Sequence, residues 1–136
     1  MIGLVCENIN NIDIKEFCDN NITIFSNSQP ATDYPNLSLF SKYMSYHFDG
    51  IIMTTNLQDT LSIIDNNICK KKVFWIGDID WHKHNPLIYR DILKVFYNKD
   101  IKIIAKNKDI FNIIESFIRK PDGVMESIEI GMISEI

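Results

Sequence analysis

Alanine stands at only two of the 136 positions, 31 and 105, and glycine at five. With so few glycines there is no GxGxxG and no GxxxxGK[ST], the patterns that bring a backbone close to phosphates; the first expected turn reads Glu7-Asn-Ile-Asn-Asn instead. Dinucleotide and P-loop readings are thereby disfavoured. The three cysteines, Cys6, Cys18 and Cys69, are an odd number without CxxC spacing, which argues against a disulfide framework or a zinc site and fits a reducing cytoplasm. No GxSxG elbow is present, and no cysteine has a flanking histidine to activate it. The start MIGLVCENIN lacks a basic leader region, and no apolar run approaches the roughly 18 residues of a membrane span, so the chain reads as soluble, unprocessed and cytoplasmic, with no membrane partner. An excess of positive charge is also missing: Lys+Arg 14 against Asp+Glu 18 gives −4 and a pI near 5.3, with no strong nucleic-acid signal. Any polyanion contact must be local. The densest basic cluster, Lys70-Lys71-Lys72, reads first as a solvated strand entrance and second as a phosphate contact.

What is present in quantity is isoleucine (26) and asparagine (14), the residues of AT-rich codons, so the bias points to an AT-rich genome, bacterial or viral. With 46% hydrophobic and 24% charged residues, the composition is that of one globular domain and not of a disordered or coiled-coil chain. Short apolar runs at 2–6, 22–25, 51–54, 73–76 and 101–105, with a last one near Val124-Met125, read as strands buried on both faces. Between them lie expected helices. Asp13 and Glu16 form a capping box for a helix ending near Asn20, and Asn56 caps one carrying Leu57, Thr60, Leu61 and Ile64. Pro86 opens a helix to about Tyr97, and Asn107 caps one whose stripe is Ile110, Ile113, Ile114, Phe117 and Ile118, closed by Arg119, Lys120 and Pro121. Ser26 to Asn36, with Pro30 and Pro35, reads as a surface loop. Leu37 to Phe48 suits helix or strand, and Asn36 as a cap favours helix. Such alternation specifies an α/β fold: a single Rossmann-like, doubly wound, mostly parallel sheet of about six strands over residues 1–127. The tail 128–136 either docks on the body or meets a partner chain.

In a sheet of this kind ligands gather at the carboxyl ends of the strands. A pocket there is expected to be bounded by Glu7, Thr54, Asp78 and Trp81, with His82 as a further ligand contact. In Gly77-Asp-Ile-Asp-Trp-His-Lys-His84, the residues Asp78, Asp80, His82 and His84 recur at every second position, so an extended backbone would point all four to one side, as divalent-metal ligands require. The plainer reading is stronger: the aspartates cap the following helix and the histidines are solvated. A divalent metal is therefore not the expected cofactor. Asp78 and Asp80 are the candidates for acid/base work, and Trp81 is either a stacking platform for sugar or base or a lid over the core. His47, after Tyr43 and Tyr46, reads as a partly buried histidine with a partner, ahead of a catalytic base.

The run Lys72-Val-Phe-Trp-Ile-Gly-Asp-Ile-Asp-Trp81, then Asp100-Ile-Lys-Ile-Ile-Ala-Lys-Asn-Lys-Asp109 and Pro121-Asp-Gly-Val-Met-Glu126, resembles the amino-terminal Rossmann-like domain of GT-B glycosyltransferases. It is similar in particular to small proteins of marine tailed phages and, more remotely, to phage DNA beta-glucosyltransferase; the likeness covers residues 50–127. A GT-B enzyme works between two such domains and this chain supplies one, so the resemblance implies a sugar or nucleotide-sugar site completed by a homodimer, in the host cytoplasm if viral. Three readings follow in order. The first is a glycosyltransferase-like single domain, with Asp78 and Asp80 catalytic if it is active. The second is a non-catalytic binding or assembly protein that keeps the fold and meets a second protein through its tail. The third is a metal-dependent hydrolase using Asp78, Asp80, His82 and His84.

Overall fold

The computed structural model describes residues 1–7, 22–28, 38–79 and 89–136. Seven strands form one sheet: β1 (Ile2–Val5), β2 (Thr23–Phe25), β3 (Ser38–Phe40), β4 (Ile51–Thr54), β5 (Lys71–Ile76), β6 (Ile101–Ala105) and β7 (Gly123–Val124). Their order is β3-β2-β1-β4-β5-β6-β7 and every pairing is parallel. Among the described residues the helices are α1 (Leu57–Ile63), α2 (Tyr89–Phe96), α3 (Lys108–Phe117) and α4 (Ile130–Ile133), with a 3-10 helix at Lys42–His47. This is the expected Rossmann-like α/β domain. The helix expected near 13–20 lies outside the described residues, as does most of the loop expected at 26–36.

Alternation along each strand sorts the apolar side chains onto two faces. Leu4, Ile24, Met53, Val73 and Ile104 share one face with Met125 and Ile133, and Ile128, Ile130 and Ile136 of the tail pack against them. On the other face Val5, Phe25 and Ile52 meet Ile63 and Phe48, while Phe74, Ile76, Ile101 and Ile103 meet Leu57, Val95, Phe96 and Ile114. Thus α1, α2 and α3 cover one face, and the tail, read from sequence as bound either to the body or to a partner, packs on the opposite one. The Lys71 ammonium also donates to the main-chain oxygen of Ile136.

Three expectations need correction. Leu37 to Phe48 is not one helix: its described part is a strand followed by the 3-10 helix at Lys42–His47. Ser38–Phe40 is a seventh strand, with Leu39 turned inward and Ser38 and Phe40 outward, a period of two that the helical spacing of Phe40, Met44 and Phe48 had obscured. Ser41, at φ −65° and ψ 150°, separates it from the 3-10 turn. The stripe of α3 is also rotated: Phe111 and Ile114 are buried with Ile110 and Ile118 beside them, whereas Phe117 is 80% exposed and Ile113 faces out. Finally, the entrance lysines are not all solvated. Lys72 is 6% exposed, and its Nζ donates to the Ile64 carbonyl at 2.8 Å, where α1 ends.

The two asparagine caps are formed as expected. Asn56 Oδ1 accepts from the Asp59 N–H at 2.8 Å and Asn107 Oδ1 from the Ile110 N–H at 2.9 Å, each satisfying a donor that the helix cannot pair internally. The turn into β4 needs glycine. Lys70 donates its N–H to the Gly50 carbonyl at 2.9 Å, and a Cβ on Gly50 would run into the carbonyl oxygen of Met1 and the Phe48 ring.

Candidate functional site at the carboxyl edge

The strand order reverses between β1 and β4, because β2 lies on one side of β1 and the chain returns to the other side for β4. In doubly wound sheets such a reversal, at the carboxyl ends of the two strands, is where ligands bind. Three charged side chains converge there. Lys42, from the 3-10 helix, donates through Nζ to Asp59 Oδ1 at 2.6 Å and also to Glu7 Oε2. Asp59, in the first turn of α1, is 2% exposed, and its other oxygen accepts from Asn56 Nδ2 at 2.7 Å. Glu7, just past β1, is 79% exposed. The cluster therefore runs from a buried carboxylate through a half-buried ammonium to a carboxylate in solvent.

Neighbouring groups hold it in place. Asn27 Oδ1 accepts from the Lys42 N–H at 3.1 Å, and Ser26 Oγ donates to the Glu7 carbonyl at 3.3 Å and bonds Ser28 Oγ at 2.9 Å. Burial alone would pull the Lys42 ammonium down; the hydrogen bonds and charges of Asp59 and Glu7 outweigh it and raise Lys42 above the ordinary lysine value. Lys42 stays a cation and is no base at neutral pH. Burial pushes the Cys6 thiol up to about 11, with the Ser26 hydrogen bond opposing, so Cys6 stays protonated as well.

Of the residues expected at the site, Glu7 is at its surface. Thr54 lies beneath it, fully buried, its hydroxyl 2.7 Å from that of Thr60, which donates to the Asn56 carbonyl at 2.8 Å. Asp78 is exposed at the end of β5, one strand beyond β4. Asp80, Trp81, His82 and His84 lie outside the described residues. Among the described residues no group of three His, Cys, Asp or Glu could hold a metal ion, and no helix is long and apolar enough to cross a membrane.

Sequence reasoning missed Lys42 and Asp59. Asp59 had a local signal: Asn56-x-x-Asp59 after a strand end places a carboxylate in the first turn of a helix at the carboxyl edge. Lys42 had none, because it reaches Asp59 across 17 residues and Glu7 across 35. The fold and this edge define the class, a single Rossmann-like domain with a charged cluster at its switch point. Comparison with protein-family models, with curated proteins and with solved structures returns no match.

Proposed function

We propose that the domain binds the hydroxyl-bearing face of a sugar or nucleotide-sugar at the carboxyl ends of β1 and β4, in the manner of a glycosyltransferase half. The observation that carries this reading is Glu7: an exposed carboxylate at the switch point, oriented by a lysine that is itself fixed by a buried aspartate. An oriented carboxylate accepts hydrogen bonds from paired sugar hydroxyls without first paying the entropy of its own ordering. With Glu7, Lys42 and Asp59 the cluster carries one net negative charge, which suits hydroxyl donors better than a bare phosphate.

A second reading, non-catalytic binding, has an observation of its own. Beneath Glu7, the described groups that could act as nucleophile or base are committed: Lys42 is held cationic, Cys6 is held as the thiol, and the Thr54 hydroxyl is spent on Thr60. Catalysis then falls to Asp78 and Asp80 or to Glu7 itself. Thermal unfolding with UDP-glucose and with UDP alone separates these readings from no binding. UDP-glucose at millimolar concentration should raise the Tm of the wild type, since a ligand that binds only the native state stabilises it. Glu7→Gln should remove most of that rise. A rise that survives Glu7→Gln, or none with either probe, overturns the proposal, and hydrolysis or transfer abolished by Asp78→Asn decides for the enzyme over the binding protein.

A further inference from the structure

The opposite edge of the sheet carries a second feature that the charged cluster does not explain. At the amino ends of β5 and β6 an open groove of about 420 Å³ is lined by Lys70, Lys71, Lys72, Lys99 and Lys102, with Asn66, Asn67, Cys69 and Asp100. Five lysines against one aspartate make a local charge of +4, so the rest of a chain totalling −4 carries −8. Two of the cations are built into the fold. Lys72, in the groove floor, is buried and bonded to the Ile64 carbonyl, and Lys71 is bonded to main-chain oxygens of the tail. The Lys72 bond goes to a neutral peptide carbonyl, which fixes the ammonium group without cancelling its charge. Among the described residues, no aspartate or glutamate side chain forms an ion pair with any of the five.

We infer that this groove is a binding site for a phosphate-bearing polyanion, held through Lys70, Lys99 and Lys102 above the fixed charges of Lys71 and Lys72. Charge of one sign concentrated in a concave surface focuses the field and attracts anions from a distance that single surface lysines do not reach. Among the described residues no aromatic side chain lines the groove, so they offer no platform for base stacking and favour recognition through phosphates. A nucleic-acid backbone and a free polyphosphate offer that same chemistry.

The test is fluorescence anisotropy of a labelled oligothymidylate of about 20 nucleotides, with inorganic tripolyphosphate assayed in parallel by thermal shift. Three uncommitted lysines neutralising three phosphates of a single strand give a slope of about −2 for log K against log salt, a loss of about 20-fold between about 50 and about 200 mM salt. Lys70→Glu and Lys99→Glu alter exposed side chains and leave the fold intact, as a thermal melt verifies; each should weaken binding several-fold and flatten the slope by about 0.7 or more. Lysine-dependent binding of the oligonucleotide identifies a nucleic-acid backbone as the source. A lysine-dependent shift with tripolyphosphate alone identifies a small polyphosphate, and the groove stands. If neither probe binds at about 50 mM salt, or if both charge reversals leave binding unchanged, the groove is not a polyanion site.

Discussion

The two edges of the sheet treat charge in opposite ways. At the carboxyl edge the cation is outnumbered and tied down, one lysine between two carboxylates, and the hydrogen-bond capacity of Asp59 is largely spent on Lys42 and Asn56. At the amino edge cations are in excess and their fixed members are bound to main-chain oxygens. Part of this is imposed by the fold. Crossover helices run against the strands, so helix starts, which favour anions, gather at the carboxyl edge and helix ends, which favour cations, gather at the amino edge. Asp59 and Asp109 in first turns and Lys72 at the end of α1 follow that rule. The rule accounts for Asp59 and Lys72; it does not account for Lys70, Lys99 and Lys102 beside them, nor for a glutamate held out in solvent by Lys42. Those departures mark the two surfaces that function can use.

The largest effect should come from breaking the buried pair at the carboxyl edge. Lys42→Met leaves Asp59 with a buried charge and only Asn56 to satisfy it, at a cost of about 3 to 5 kcal/mol in urea unfolding. Adding Asp59→Asn should recover much of it by removing the uncompensated charge. If Lys42→Met costs under about 1 kcal/mol, the cluster is a surface contact and the contrast between the edges disappears. Next comes a change that touches neither edge: Ile114→Ala, in the middle of α3, should cost about 2 to 4 kcal/mol through lost transfer energy and the cavity left behind. Its Tm shift with UDP-glucose and its salt slope with oligothymidylate should match the wild type; if either changes, that surface depends on global stability and not on local charge.

Strand and helix alternation was legible because parallel strands buried on both faces leave uninterrupted apolar runs such as Val73-Phe-Trp-Ile76, where only Trp75 is less than fully buried and it donates its indole N–H to the Met125 carbonyl at 2.8 Å. The helix starts were legible as well, since an asparagine cap acts within three residues of itself. An edge strand is harder to read. β3 has three residues, one inward, and its pairing with β2 is decided by a partner distant in sequence. The stripe of α3 was misread by one rotation because isoleucine and phenylalanine occupy both its faces, and hydrophobicity alone does not say that Phe111 turns in while Phe117 turns out. The site was half legible: strand ends nominate Glu7 and Asn56, but an ion pair spanning 35 residues leaves no mark on local sequence.

The smallest effect compares two thiols, one at each edge. Cys6 is buried beside the carboxyl-edge cluster; Cys69 is half-buried in the lysine groove, its thiol 3.6 Å from the Asn66 carbonyl. Burial raises both, Cys6 to about 11 from 9.0, while the neighbouring charge of Lys72 works against the rise at Cys69. A thiol whose folded value lies above its unfolded value stabilises the fold fully below the unfolded value, and that contribution fades as pH rises through the folded one. Unfolding stability should therefore decline between about pH 9 and 11, and Cys6→Ala should flatten the decline in that window. Lys42 is raised above 10.5 by Asp59 and Glu7, so its share of the alkaline loss begins only above that value. Iodoacetamide reads the same difference chemically, because the thiolate is the reacting form and access matters as much as titration. In the folded protein near pH 8.5, peptide mapping should find Cys69 alkylated well before Cys6. Equal rates, or Cys6 first, would mean that the carboxyl edge opens to solvent more readily than the lysine groove, and the closed, committed character assigned to that edge would have to be given up.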